Sequence, residues 1–257
     1  MAKKEVNPDQ VRTFTPVGTL KFPKLTEPDH GTEAYPCSHA WGDYKTKLIL
    51  DRADDGVDEF LSKLDDAVER AKELAEEEFA KLPVKKRKEL EAKGGISPDL
   101  PYSVIYDEES EEDTGKVELN FKMRAGGERK KDGKEWTQRP DLFDAKGKPL
   151  PRDVKKGGKV IKKGVQIWGG SVAIINFDHS PYFMPGTGKY GITRRLNAVQ
   201  VLQLVSGGGE GRSASSYGFG AQEGFSADDY QADNEDDEDV EVDGDDGDDD
   251  DMDAANF

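Results

Sequence analysis

Lys122, Arg124, Arg129, Lys130, Lys131, Lys134 and Arg139 surround Trp136, and Lys155, Lys156, Lys159, Lys162 and Lys163 lead into Trp168. Bases interleaved with flat aromatics are what a single nucleic-acid strand needs: phosphates seek Lys and Arg, and unstacked bases seek rings, each stacked base being worth roughly 1–3 kcal/mol. A second such group joins Tyr182 and Phe183, between two prolines, to Lys189, Tyr190, Arg194 and Arg195. The competing reading makes the tryptophans packing residues, the lysines ordinary surface, and Tyr182 with Phe183 a hydrophobic plug at one end of a barrel.

Other chemistries fit the residues less well. Asp29, His30, Cys37 and His39 include usual zinc ligands, but no second Cys or His pair follows Cys-x-His, so no metal site is expected. Gly186 to Lys189 lacks the first glycine and the final hydroxyl of a phosphate loop, which excludes an ATPase of that kind. His30, His39 and His179 offer no nucleophilic triad, so neither a cofactor nor an enzymatic activity is expected. Asp107 to Asp113 could hold Mg²⁺ in a nuclease, although an acidic run in a loop is ordinarily a solvated surface.

The elements that would carry these groups follow from hydrophobic spacing. Val57, Phe60, Leu61, Leu64, Val68, Ala71, Leu74, Phe79 and Leu82 recur at steps of three and four, giving a long amphipathic helix with Asp54 or Asp55 as cap and Pro83 as stop. Lys85 to Lys93 forms a second charged helical piece, closed by Gly94 and Gly95. Strands are expected at Tyr44–Leu50, at the alternating Val117–Arg124, at Val165–Phe177 and at Tyr190–Val205, with a short element at Leu142-Phe143 and Pro149-Leu150. About five strands around a helical insertion at about 54–93 make a mainly β molecule, a small, partly open barrel.

Charge divides the 257 residues further. Residues 206 to 257 hold 19 of the 54 acids and one of the 37 bases, so this stretch is −18 and the remainder +1. Within the remainder, 51–113 is −11 and 116–205 is +11, and the basic part is an electrostatic footprint for a polyanion. Residues 1–205 are large enough for one domain; 206–227 reads as a Gly/Ser/aromatic linker and 228–257 as a disordered acidic tail, with too little to bury. Tethered carboxylates at high effective concentration would compete for the basic surface. There is neither an apolar run long enough for a membrane span nor an apolar signal core near Met1, and the single Cys37 cannot pair within the chain, so a reducing, cytoplasmic setting is expected.

Several of these features occur together in one known arrangement. The start Met1-Ala2-Lys3-Lys4, a strand followed by a long acidic helix, the segment Tyr190-Gly191-Ile192-Thr193-Arg194-Arg195-Leu196-Asn197-Ala198-Val199-Gln200-Val201-Leu202-Gln203-Leu204, the break Gly207-Gly208-Gly209 and an acidic tail ending in Phe257 resemble the T7-type phage single-stranded DNA-binding protein family. The resemblance implies an OB-fold, a five-stranded Greek-key barrel, that binds single-stranded DNA without sequence preference and serves phage replication, recombination, repair and strand annealing in the cytoplasm of the infected bacterium. It implies that the tail, through Asp248, Asp249, Asp250, Asp251, Asp253 and Phe257, contacts replication proteins such as DNA polymerase and helicase-primase, and that the chain self-associates as a homodimer. The interleaving of bases and rings itself, rather than the resemblance, gives the expected contact set, which places Trp136, Tyr182 and Phe183 on bases. Lys122, Arg124, Arg129, Lys130, Lys131, Arg139, Lys189, Arg194 and Arg195 are set on phosphates. The alternative is an acidic interaction protein, a DNA mimic or histone-like chaperone.

Overall fold

The computed structural model describes residues 9–157 and 159–205. The linker expected at 206–227 and the acidic stretch 228–257, with Asp248 to Asp251, Asp253 and Phe257, lie outside the described residues. In chain order the elements are β1 (Val11–Phe14), β2 (Gly18–Asp29), β3 (Asp43–Asp51), α1 (Val57–Lys81), α2 (Val84–Glu91), β4 (Ser97–Pro98), β5 (Ser103–Tyr106), β6 (Asp113–Arg124), β7 (Gly126–Glu128), β8 (Glu135–Thr137), β9 (Asp141–Phe143), β10 (Val154–Lys156), β11 (Lys159–Lys162), β12 (Val172–His179), β13 (Pro181–Met184), β14 (Lys189–Ile192) and β15 (Arg195–Gln203).

Five of these strands close on themselves in the order β2-β3-β6-β15-β12, and β12 returns to pair with β2. The pairs are antiparallel except β6 with β15, which run parallel where Arg195 meets Lys122. This is a closed five-stranded OB-fold barrel. Alternation explains the closure: Val117, Leu119, Phe121 and Met123 of β6 are buried while Lys122 and Arg124 between and beyond them are exposed, so one face of the strand lines the core.

At the centre Phe177 of β12 meets Phe121 edge-on at 4.9 Å between ring centroids, and Phe60 of α1 approaches the same ring at 6.3 Å. Such pairs add about 0.5–1.5 kcal/mol beyond the burial of their area. Phe60, Leu61, Leu64 and Val68 place the apolar stripe of α1 in this core. The β13–β14 hairpin packs against the same helix. Pro83 separates α1 from α2. The cap of α1 is Gly56, in the left-handed conformation at φ 77° with no side-chain cap bond, rather than Asp54 or Asp55. The Asp54 backbone carbonyl accepts the Val57 amide instead.

The strand expectations need five corrections. The barrel's first member is β2, unread in the sequence because Pro23 and Pro28 interrupt it; the 142–150 element is β9, which pairs with β15 outside the closed ring. Residues 165–171 are irregular because Gly169 and Gly170 turn the chain, so β12 starts only at Val172. The expected last strand is two, β14 and β15, separated by Thr193 and Arg194. Tyr182 and Phe183, expected in a turn, form β13, paired with Gly191 and Tyr190 of β14.

Candidate nucleic-acid interface

The outer wall of β2, β3, β6 and β15 carries one unbroken row of basic residues. Lys24 is opposite Lys45, Lys45 is opposite Lys122, and Lys122 is opposite Arg195. All four are exposed, the side chains of Lys45 and Lys122 by 51% and 60%. At the ordinary spacing of strands the row spans about 15 Å. A second row beside it sets Lys21 opposite Lys47 and Lys47 opposite Asn120. Like charges directly across a sheet destabilise it unless counter-charges stand among them.

Three carboxylates brace the rows. Asp29 holds Lys45 at 2.8 Å, Asp43 holds Lys122 at 2.7 Å, and Glu118 takes both Lys47 at 2.5 Å and Lys21 at 3.2 Å. Burial works to raise Glu118, and the lysine hydrogen bonds outweigh it, so this carboxyl stays below its usual range; Asp43, bonded by Lys122 and Cys37, behaves alike. These acids keep the lysines extended side by side. A phosphate chain can replace them one for one at the exposed ammonium ends.

An aromatic ring stands among the lysines. In strict alternation Phe22 would follow Leu20 into the core, yet Phe22 is 69% exposed and the next buried residue is Leu25. The register of β2 on β3 breaks between Lys21 and Lys24, and Phe22 sits at φ 51°, a conformation a bulky residue rarely adopts. This bulge turns Phe22 outward beside Lys24, Lys45, Lys47 and Lys122, with the Lys21 ammonium 5.5 Å from its ring centre. A bulky residue held at positive φ with its ring in solvent costs free energy that the surrounding sheet must supply. Trp168, 54% exposed, is close by along the chain: Gly169 runs beside β2, and Gly170 donates to Leu20 at 2.8 Å.

The sequence-predicted residues fall into separate places. Lys122 and Arg195 belong to the row, and Arg124 ends β6 on the exposed side. Arg195 donates to Gln138 at 2.9 Å, and Gln138 in turn donates to the Arg124 carbonyl at 2.8 Å, which ties the row to the β7–β8 hairpin. Arg129, Lys130 and Lys131 occupy the exposed turn of that hairpin. Trp136, half-buried on β8, lies against Gly127: a Cβ there would come within 3.0 Å of its ring, and at Gly126 within 2.6 Å of Trp41. Both glycines are therefore fixed by the flat rings that cover them.

Arg139 is exposed and lines a separate cleft of about 580 Å³ with Arg152, Tyr44 and His30. Arg194 is half-buried, donates to the Asn120 carbonyl at 3.0 Å and is held below its ordinary value by that burial. Lys189 begins β14, paired to Met184. Tyr182 donates its hydroxyl to Asp99, and Phe183 packs against the core. The structure thus brings Lys122, Arg124 and Arg195 together, sets Trp136 with Arg129, Lys130 and Lys131 on the adjoining hairpin, and engages Tyr182 in a hydrogen bond and Phe183 in packing. Lys21, Phe22, Lys24, Lys45 and Lys47 escaped the sequence reading, since only strand register shows that they share a face with Lys122.

The acidic loop 107–113 turns inward on itself. Asp107 accepts the Glu109 and Ser110 amides and the Ser110 hydroxyl, while Asp113 pairs with Arg52. Among the described residues the one group of three donors placed to share a cation is elsewhere, at Cys37, His39 and Asp43. No helix among the described residues is long and apolar enough to cross a membrane.

No protein-family model matches the sequence, and no curated protein does. Among solved structures, the chain is similar to gp2.5, a single-stranded DNA-binding protein encoded by bacteriophage T7, with a TM-score of 0.53 and 19% identity over 85% of this chain and 99% of that one. The single-stranded DNA-binding protein of bacteriophage Enc34 aligns with a TM-score of 0.42 as a C-terminal truncation, at 13% identity over 80% of this chain and 98% of that one. Its complex with single-stranded DNA aligns at 0.39, with 11% identity over 78% and 90%. At these identities the likeness speaks for the fold, and the chain is an OB-fold barrel built like that of a phage single-stranded DNA-binding protein.

Proposed function

We propose that this chain is a non-enzymatic single-stranded DNA-binding protein that reads no sequence. The observation that carries the reading is the row Lys24, Lys45, Lys122 and Arg195 with Phe22 turned out beside it. Phosphates exchange with the bracing carboxylates along the row, and bases stack on Phe22, with Trp136 and Trp168 as further rings at its margins. Arg124, Arg129, Lys130 and Lys131 extend the positive surface. None of these groups needs a particular base edge, which supports binding without sequence preference.

The wider role in this reading is to cover and protect single strands during phage DNA replication, recombination and repair, in the host cytoplasm. The acidic stretch 228–257 imitates a polyanion, competes for the basic wall when DNA is absent and, when displaced, recruits replication proteins through its carboxylates and Phe257. The likeness to the T7 protein, a single-stranded DNA-binding protein, supports the ligand class.

Fluorescence titration with labelled oligo(dT) and a matched duplex across a salt series tests it. Preference for the single strand is expected, with log K falling against log salt at a slope of about −3 if the four-residue row meets four phosphates, at roughly 0.7 per phosphate. Equal affinity for the duplex, or no binding at low salt by the chain lacking residues 206–257, would overturn the proposal.

A further inference from the structure

The loop joining β2 to β3 folds back on itself: Gly31 bridges Pro36, the Cys37 amide donates to the His30 carbonyl at 2.9 Å, and the Gly31 amide donates to Asp29 at 2.7 Å. This closure brings Cys37 and His39 over Asp43, the first residue of β3, whose side chain is only 6% exposed. The Cys37 sulfur is 3.3 Å from one Asp43 oxygen and 3.9 Å from His39 Nε2, and that nitrogen is 3.2 Å from the other Asp43 oxygen. Ligands on a tetrahedral zinc, at its usual bond lengths, stand about 3.3–3.6 Å from one another. Each of the three separations is within a few tenths of an ångström of that spacing, the carboxylate meeting its two neighbours through different oxygens, and one ligand atom from each residue lies within 4.8 Å of the other two.

We propose that Cys37, His39 and Asp43 bind a zinc-class divalent cation and leave the fourth position to solvent. A thiolate and an imidazole favour Zn²⁺ over Mg²⁺ or Ca²⁺, which take oxygen ligands. Binding breaks the Cys37 S–H bond, forms a metal–sulfur bond and gives the proton to buffer. The site escaped the sequence reading because that reading sought a second Cys or His pair, whereas the third ligand is a carboxylate four residues beyond His39. The same carboxylate holds Lys122 at 2.7 Å. A dication on Asp43 cancels its attraction for Lys122, so filling the site releases that ammonium to the basic row. This second effect rests on the proposed DNA binding; the first does not.

The test uses Co²⁺ in place of Zn²⁺ with the reduced full-length chain. One equivalent is expected to give a thiolate-to-cobalt charge-transfer band and tetrahedral visible bands, both removed by Zn²⁺. Carboxylates of the acidic stretch contribute no thiolate band. Cys37→Ser and His39→Gln should each weaken binding by more than the roughly 10–100-fold that loss of an outer-shell partner costs. A chain giving no such band at one equivalent overturns the site and leaves Asp43 as a hydrogen-bonded carboxylate only. One equivalent of Zn²⁺ should tighten oligo(dT) binding severalfold in the native chain and leave Cys37→Ser unmoved. A cobalt band with unmoved DNA affinity overturns the release of Lys122. A cobalt band in a chain that binds no DNA at all instead overturns the DNA reading while the metal site stands.

Discussion

Phe22 is the residue on which chemistry and conformation disagree most. Burial of a phenylalanine is worth about 1.5–3 kcal/mol, and the sheet forgoes it to hold the ring outside at φ 51°. If that ring stacks on a base, Phe22→Ala should weaken oligo(dT) binding by about 1–3 kcal/mol and leave the salt slope unchanged, because no charge is removed. Lys45→Gln should do the reverse: a uniform loss of affinity with the slope reduced by about 0.7. Isothermal titration at three salt concentrations separates the two signatures. A Phe22→Ala chain that binds as tightly as the native one would confine stacking to Trp136 and Trp168.

Elements differ in how plainly the sequence announces them. The spacing of Phe60, Leu61, Leu64 and Val68 gave α1 within a residue or two, because a solvent-facing helix must segregate its faces, and β6 was legible for the same reason at period two. β2 was not, because its bulge reverses the inward parity between Leu20 and Leu25 and two prolines mask the rest. The basic row suffered with it, since Lys24 and Lys45 are far apart in sequence and meet only through register. The β13–β14 hairpin was misread in its conformation: Tyr182 and Phe183, expected in a turn, form a strand, and the Tyr182 hydroxyl clasps Asp99. The Tyr182 hydroxyl donates to Asp99, just after β4; burial and that bond push its pKa up to about 12. A phenol held above its ordinary value near 10 contributes stability that is fully present below pH 10 and lost as pH rises through about 12. Ultraviolet tyrosinate titration of the native chain, differenced against Tyr182→Phe, should show one phenol ionising near pH 12. A difference curve centred near pH 10 would dissolve the clasp.

Over the whole molecule the decisive quantity is the distribution of charge rather than its sum. A net charge of −17 would repel DNA if it were uniform, and an observer guided by a pI near 4.7 would exclude a nucleic-acid ligand. Residues 206–257 carry −18 and the rest of the chain +1, while the barrel wall offers Lys24, Lys45, Lys122 and Arg195 in one line. In the proposed mechanism attached carboxylates and DNA phosphates compete for the same ammonium groups, and the attached ones would act at an effective concentration that dilution does not lower. Removing residues 206–257 should therefore tighten oligo(dT) binding at low salt by tenfold or more. Added salt screens both competitors, so the two affinities should converge as ionic strength rises. The deletion should leave the denaturation midpoint of the barrel unchanged, because the core groups Phe60, Phe121 and Phe177 all precede the cut. Supplying the acidic segment as a separate peptide should restore inhibition only at high peptide concentration, since the tether is what makes it effective. Equal affinity of the full and shortened chains at low salt would remove competition from the mechanism and leave the acidic stretch with partner recruitment alone.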